Sequence, residues 1–210
     1  MYLIRPPKVY RWLYKEAIFR NDPLQKRIYL TFDDGPHPEA TDFVLSVLER
    51  HGIKATFFVL GKNVQKHPEL YKELVNRGHG IGNHGMNHLN GWASSTTDYV
   101  KDALQGRQVS GSVLFRPPYG RITLSQYNAL RVTEKIVFWD VISGDFDTRI
   151  GHRKVVENVL KNVRNGSIIT MHDSKKAMNN LVGSMNDIIV SLKENGYDFG
   201  VLEAPKEPQY

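Results

Sequence analysis

The 210-residue chain contains no cysteine. Disulfide cross-links, thiolate metal sites and a cysteine nucleophile are therefore excluded, and the redox state of its compartment is left open. No apolar run is long enough to cross a bilayer: the aromatic stretch 9–19 is too short and too charged. Residues 1–8 lack the continuous apolar segment of a secretory signal, so none is expected there and location is left open. Repeats, low-complexity tracts and internal linkers are also missing. One domain is the expectation, and a monomer the simplest assembly. Lys and Arg total 28 against 22 Asp and Glu, a formal +6, but the positive charge forms no tract. Nucleic acid is thus not an expected partner, while the net charge favours other anionic polymers.

What the chain does have is alternation. Strand-like runs at 28–32, 55–60, 113–115, 135–141, 167–171 and 199–202 are separated by helical patterns at 39–51, from Pro68 to before Gly78, and at 96–108, 154–163 and 181–194. Asn195-Gly196 reads as the stop of the last helix, and 79–82 as a Gly-rich corner. The pattern predicts an α/β fold with parallel strands, its chemistry at the strands' C-terminal ends. Residues 1–27 read as an extension that packs Trp12, Leu13 and Ile18 on a domain spanning 28–203, with a tail at 204–210.

Four motifs follow strands. Asp33 and Asp34 in Thr-Phe-Asp-Asp-Gly-Pro repel one another if buried together, unless a cation or an Arg faces them; a plain turn is the alternative. His84 and His88, four apart, share one face of a helical turn and can meet on one metal, with a carboxylate of the Asp pair as third ligand. In Arg116-Pro-Pro-Tyr-Gly120 the two prolines carry no N–H, which leaves the Tyr119 and Gly120 amides as the first free donors, while Arg116 can grip a carboxylate through two bonds. His172, at the end of a buried strand, is either a general acid or a structural histidine.

Taken in order, these motifs resemble carbohydrate esterase family 4, the polysaccharide deacetylases, over about 28–173. The resemblance implies a distorted (β/α) barrel of about seven parallel strands with helices outside. It also implies a divalent metal, zinc by donor type with cobalt, nickel or manganese compatible, and an N-acetylated glycan as substrate. Carried over, Asp33 is the catalytic base and Asp34, His84 and His88 are the metal ligands. Arg116 orients the base, the Tyr119 amide stabilises the oxyanion, and His172 protonates the departing amine. Pro118, Trp139, Asp145, Phe146 and Thr170 are expected at the substrate.

The chain departs from the family pattern twice. Where the family has Asp-x-x-Asp-Trp it reads Ile142-Ser-Gly-Asp-Phe146, so the usual partner of the acid is missing unless Asp140 or Asp145 reaches His172. Thr170 stands where a Leu usually lines the acetyl pocket. The remaining histidines, His37, His51, His67, His79 and His152, are expected to be structural, and Trp92 lines either a sugar groove or a packed loop. An acetylxylan-type O-deacetylase and a non-catalytic carbohydrate binder remain the competing functions.

Overall fold

The computed structural model describes residues 3–203; the expected tail at 204–210 lies outside them. Strand β1 (Arg27–Asp33) is buried at every position but the first, as a central parallel strand covered on both faces must be. It pairs in parallel with β2 (Thr56–Val59) on one side and β7 (Ile168–His172) on the other. Beyond β2 lie β3 (Gly80–Asn83), β4 (Leu114–Phe115) and β5 (Lys135–Ile136); beyond β7 lies β6 (Val141–Ile142). The order is β5-β4-β3-β2-β1-β7-β6, and β8 (Asp198–Phe199) pairs with the start of β1.

The stretch read as one strand at 135–141 is split in two, because its ends pair at opposite edges of the sheet. Between them the Val137 N–H reaches the Phe115 carbonyl at 2.8 Å and the Asp140 N–H reaches that of Ile168 at 3.0 Å. This crossing brings the two edges together, so the seven strands curl into a distorted barrel with helices around it.

The main apolar core lies between β1, β2, β7 and the helices α2 (Pro38–Arg50), α4 (Pro68–Asn76), α7 (His152–Leu160) and α8 (Met178–Glu194). A second core joins α5 (Thr96–Ser110), β4 and α6 (Leu124–Leu130) to the N-terminal segment. That segment carries α1 (Lys8–Leu13) and buries Tyr14 and Phe19, while Ile18 exchanges hydrogen bonds with Ile136 and Phe138. It closes the seam beside β5. Trp12, expected to pack with Leu13 and Ile18, instead stands 68% exposed.

The supposed glycine corner is strand β3. A side chain at Gly80 or Gly82 would collide with Thr56 or Phe58 on β2, so glycine here permits close packing of strands rather than a turn. Helices α3 (Gly61–Lys66) and α6 are too short for a periodic signal and escaped the sequence reading. For α6 the capping box Thr123–Gln126 was a usable sign. Helix α8 ends as expected, with Gly196 at φ 75° beyond Asn195.

Candidate active site and metal centre

The register of β1 against β7 sets the geometry. Thr31 lies opposite Thr170, and Asp33 opposite His172. Alternate residues of a strand share a face, so all four side chains stand on one side at the carboxyl ends of their strands.

Asp34 has φ 83°, a left-handed conformation that turns its carboxylate away from that of Asp33 toward the two histidines. The next peptide is fastened from the far side: the Gly35 N–H donates to Asp173 Oδ1 at 3.0 Å, and Thr41 Oγ1 lies 2.6 Å from Asp173 Oδ2. Asn63 Nδ2 donates to the Asp34 carbonyl at 2.7 Å. The sequence reading gave Asp173 no role; its only signal was a second acid directly after a buried strand. Burial pushes its carboxyl up to about 8, and the Asp34 charge works in the same direction against the hydrogen bonds from Thr41 and Gly35.

His84 and His88 converge, but not on a helix. They bracket a loop after β3 that folds back at Gly85 (φ 82°) and at His88 itself (φ 63°). Buried Asp102 on α5 holds the loop, accepting from the Met86 N–H, the Asn87 N–H and Asn87 Nδ2 at 2.8–3.0 Å. Asp102 too went unremarked in the sequence, where it looks like any polar residue of a helix. His84 Nδ1 donates to the Arg116 carbonyl at 2.8 Å, which leaves Nε2 as a bare donor atom facing the site. Burial lowers its pKa to about 4, so the ring is neutral near pH 7.

His88 Nε2 and His84 Nε2 lie 3.2 and 3.8 Å from Asp34 Oδ1, and the ligand atoms of all three residues fall within 4.8 Å of one another. Asp34 Oδ1 is buried with no hydrogen-bond partner. Burial opposes its ionisation, but the imidazoles of His88, His172 and His84 outweigh this and hold the carboxyl below the usual range. An ionised, unpartnered oxygen between two imidazole nitrogens fits a divalent cation, and a set of two N donors and one O suits zinc, cobalt, nickel or manganese.

Arg116 is fully buried against the Phe58 ring, 3.9 Å from its centroid. It does not clamp a carboxylate through two bonds as expected. Nη1 serves both Asp33 Oδ1 (2.6 Å) and Thr31 Oγ1 (2.7 Å), while Nη2 goes to the Phe138 carbonyl at 3.2 Å. The guanidinium is fixed by the barrel wall and aims one donor at Asp33.

In the following loop the Gly120 N–H is consumed by the Pro117 carbonyl at 2.9 Å, so it is not the free donor its sequence position suggested. Among the described residues no hydrogen bond uses the Tyr119 N–H. Tyr119 has φ 59°, and its half-exposed ring lies 4.4 Å from that of His88. Pro118 is buried, and the Trp139 ring fills the space beside Gly120 with its Nε1 buried and unpartnered.

Across the site, the partner that the sequence left in doubt is Asp145. Its Oδ1 accepts from His172 Nδ1 at 2.8 Å and its Oδ2 from the His172 backbone N–H at 2.7 Å. A fully buried carboxylate committed to His172 is not a substrate contact, so the expected substrate role of Asp145 is corrected. Asp140 is elsewhere, tied to Arg164, Ser167 and Arg11. Burial alone would lower the His172 pKa, but the Asp145 carboxylate, with Asp34 and Asp33, prevails and pushes it up to about 9. Phe146 sets its ring edge against His172 at 5.0 Å. Thr170 is buried one layer below, 3.4 Å from Thr31 Oγ1.

An Asp–Arg pair and an Asp–His pair thus flank an Asp-His-His cluster at the carboxyl ends of parallel strands, where α/β-barrel enzymes keep their chemistry. The sequence model of the polysaccharide deacetylases matches residues 20–134. A peptidoglycan-N-acetylglucosamine deacetylase of Bacillus cereus is 36% identical over 182 residues, covering 83% of this chain and 85% of that protein. The chain belongs to the polysaccharide deacetylase family. Among solved structures, a peptidoglycan N-acetylglucosamine deacetylase in complex with 4-naphthalen-1-yl-N-oxidanyl-benzamide superimposes with a TM-score of 0.82 at 32% identity, over 92% of this chain and 94% of that one. A family 4 pseudoenzyme from Bacillus anthracis does so with a TM-score of 0.76 at 25% identity, over 89% and 67%.

Proposed function

We propose that the protein hydrolyses acetamido groups of an N-acetylated glycan of the peptidoglycan type, releasing acetate and a free amino sugar, with a divalent cation held by Asp34, His84 and His88. The observation that carries this reading is the pairing of Asp33 with Arg116 on one side of the three-ligand cluster and of His172 with Asp145 on the other. The relatives named as peptidoglycan deacetylases support the substrate class.

An amide is a weak electrophile with a poor leaving group, so both ends need assistance. The cation would supply Lewis-acid polarisation of the acetyl carbonyl and of water. Asp33, steered by Arg116, takes the proton of the attacking water. The Tyr119 N–H is the candidate oxyanion donor. His172, held protonated by Asp145, gives its proton to the departing nitrogen. Trp139, Phe146, Pro118 and Thr170 shape the walls and floor. No covalent intermediate on the enzyme is required.

The pseudoenzyme neighbour gives a binding-only reading some weight, but that reading predicts loss of the base or of a ligand, and all of these groups are in place here. The test is acetate release from peptidoglycan, chitin oligomers and acetylxylan, before and after metal stripping and zinc restoration. Zinc-dependent release from an N-acetylated glycan supports the proposal. Retained glycan affinity with no release from any substrate would establish the binding-only reading.

A further inference from the structure

One row of side chains leads out of the site. The Tyr119 ring touches that of His88, and the Arg121 guanidinium lies 5.8 Å from the Tyr119 centroid and 5.0 Å from that of Trp92. Trp92 and Tyr119 are each 59% exposed and Arg121 is exposed as well. Among the described residues no hydrogen bond or ion pair engages the Arg121 guanidinium; its neighbours are the two rings.

The exposure of Trp92 does not come from a loose loop. Asn90 Oδ1 caps the turn by accepting from the Trp92 N–H at 3.1 Å, and Gln126 Nε2 donates to the carbonyls of Gly91 (2.8 Å) and Ser94 (3.3 Å). Gly91 lies so close to the Arg121 backbone that no side chain would fit there. The two loops are buttoned together, and a large apolar ring stands in water on a fixed backbone beside the Arg121 guanidinium. Burying that ring under a ligand recovers apolar contact with little ordering cost.

We propose that Trp92, Arg121 and Tyr119 form a glycan subsite next to the acetyl site, in which a pyranose ring stacks on Trp92 and Arg121 pairs with a carboxylate on the neighbouring sugar. This rests on the glycan-deacetylase reading and narrows its substrate to carboxylate-bearing glycans. The chemistry follows from the row: an aromatic face accepts the apolar face of a pyranose, and a guanidinium beside two rings offers a carboxylate its planar fork. The overall +6 charge favours the same anionic polymer.

The test measures glycan affinity by calorimetry on the full chain in an Asp33→Asn background, which separates binding from turnover. The probes are a neutral N-acetylglucosamine tetramer and a tetramer alternating with N-acetylmuramic acid whose lactyl carboxylates are free. Trp92→Ala is expected to weaken both about tenfold, with Trp92→Phe restoring most of the loss. Arg121→Met, which keeps the stem, is expected to weaken only the carboxylated tetramer, about fivefold or more, and to remove its salt dependence. Circular dichroism and melting curves establish that the variants fold. Unchanged affinity in Trp92→Ala overturns the subsite, and equal losses for both tetramers in Arg121→Met overturn the carboxylate pairing. With Asp33 intact, Trp92→Ala should raise KM and spare kcat. Trp92-dependent binding without any acetate release would sink the deacetylase reading and leave the subsite standing; release that ignores Trp92 would sink the subsite alone.

Discussion

Replacing Asp145 by Asn probes the least expected part of the site. The amide is nearly isosteric and keeps an oxygen for the His172 backbone N–H, so the variant should fold, while the charge facing the imidazole is gone. The rise of the His172 pKa from 6.5 to about 9 corresponds to about 3 kcal/mol in favour of the imidazolium, at about 1.4 kcal/mol per pH unit. Without Asp145 the opposing effect of burial dominates, and the pKa should fall to the ordinary histidine value or below it. At neutral pH the ring then changes from almost wholly protonated to mostly neutral, and acetate release should fall at least several-fold at pH 7 and further as pH rises, up to the roughly 10²–10⁴ that a general acid contributes. The sign for stability follows from the raised folded-state value. The stabilisation is fully present below the unfolded pKa of 6.5 and is lost as pH rises through 9. The stability gap between parent and variant, measured by denaturant unfolding of metal-free protein, should therefore close between pH 7 and pH 10. Histidine NMR titration of both proteins gives the midpoint directly. An unchanged His172 midpoint in Asp145→Asn, or a stability gap that ignores pH over that window, refutes the reasoning.

Arg116→Met leaves Asp33 buried without its cation and should cost about 3–5 kcal/mol in denaturant unfolding. Arg116→Lys should not restore acetate release, because an ammonium cannot span Asp33, Thr31 and the Phe138 carbonyl at once. Zinc at a hundred times its dissociation constant should stabilise the protein by about 2.7 kcal/mol, read as a rise in melting temperature that Asp34→Asn largely abolishes. Tyr119→Gly keeps the N–H and relieves about 1 kcal/mol of left-handed backbone strain, so kcat should survive while loss of the ring from the proposed subsite raises KM. Tyr119→Pro, which has no N–H and cannot adopt a φ of 59°, should lose activity.

Asp33, Asp34, His84, His88, Arg116 and His172 were all legible as candidates because each ends or follows a strand, and a parallel α/β fold gathers strand ends at one rim. The alternation of apolar runs with helical periodicity likewise revealed the fold class, since both periods are local properties. What stayed hidden depends on through-space partners. Short elements such as β3 and α3 take their form from what packs on them, and the glycines of β3 are strand residues only because β2 lies so close. The identity of the partner of His172 turns on the β6–β7 register and the turn at Gly144, not on spacing within a motif. The roles of Asp173 and Asp102 are invisible in sequence, because a carboxylate that fastens a loop looks like any other until the loop is placed against it. By itself the sequence determined which side chains reach the rim of the barrel, because strand direction and alternation are written locally. Only the tertiary structure decided which of them face one another, because hydrogen bonds and charge pairing act over a few ångströms between segments that lie from 27 to 83 residues apart in the chain.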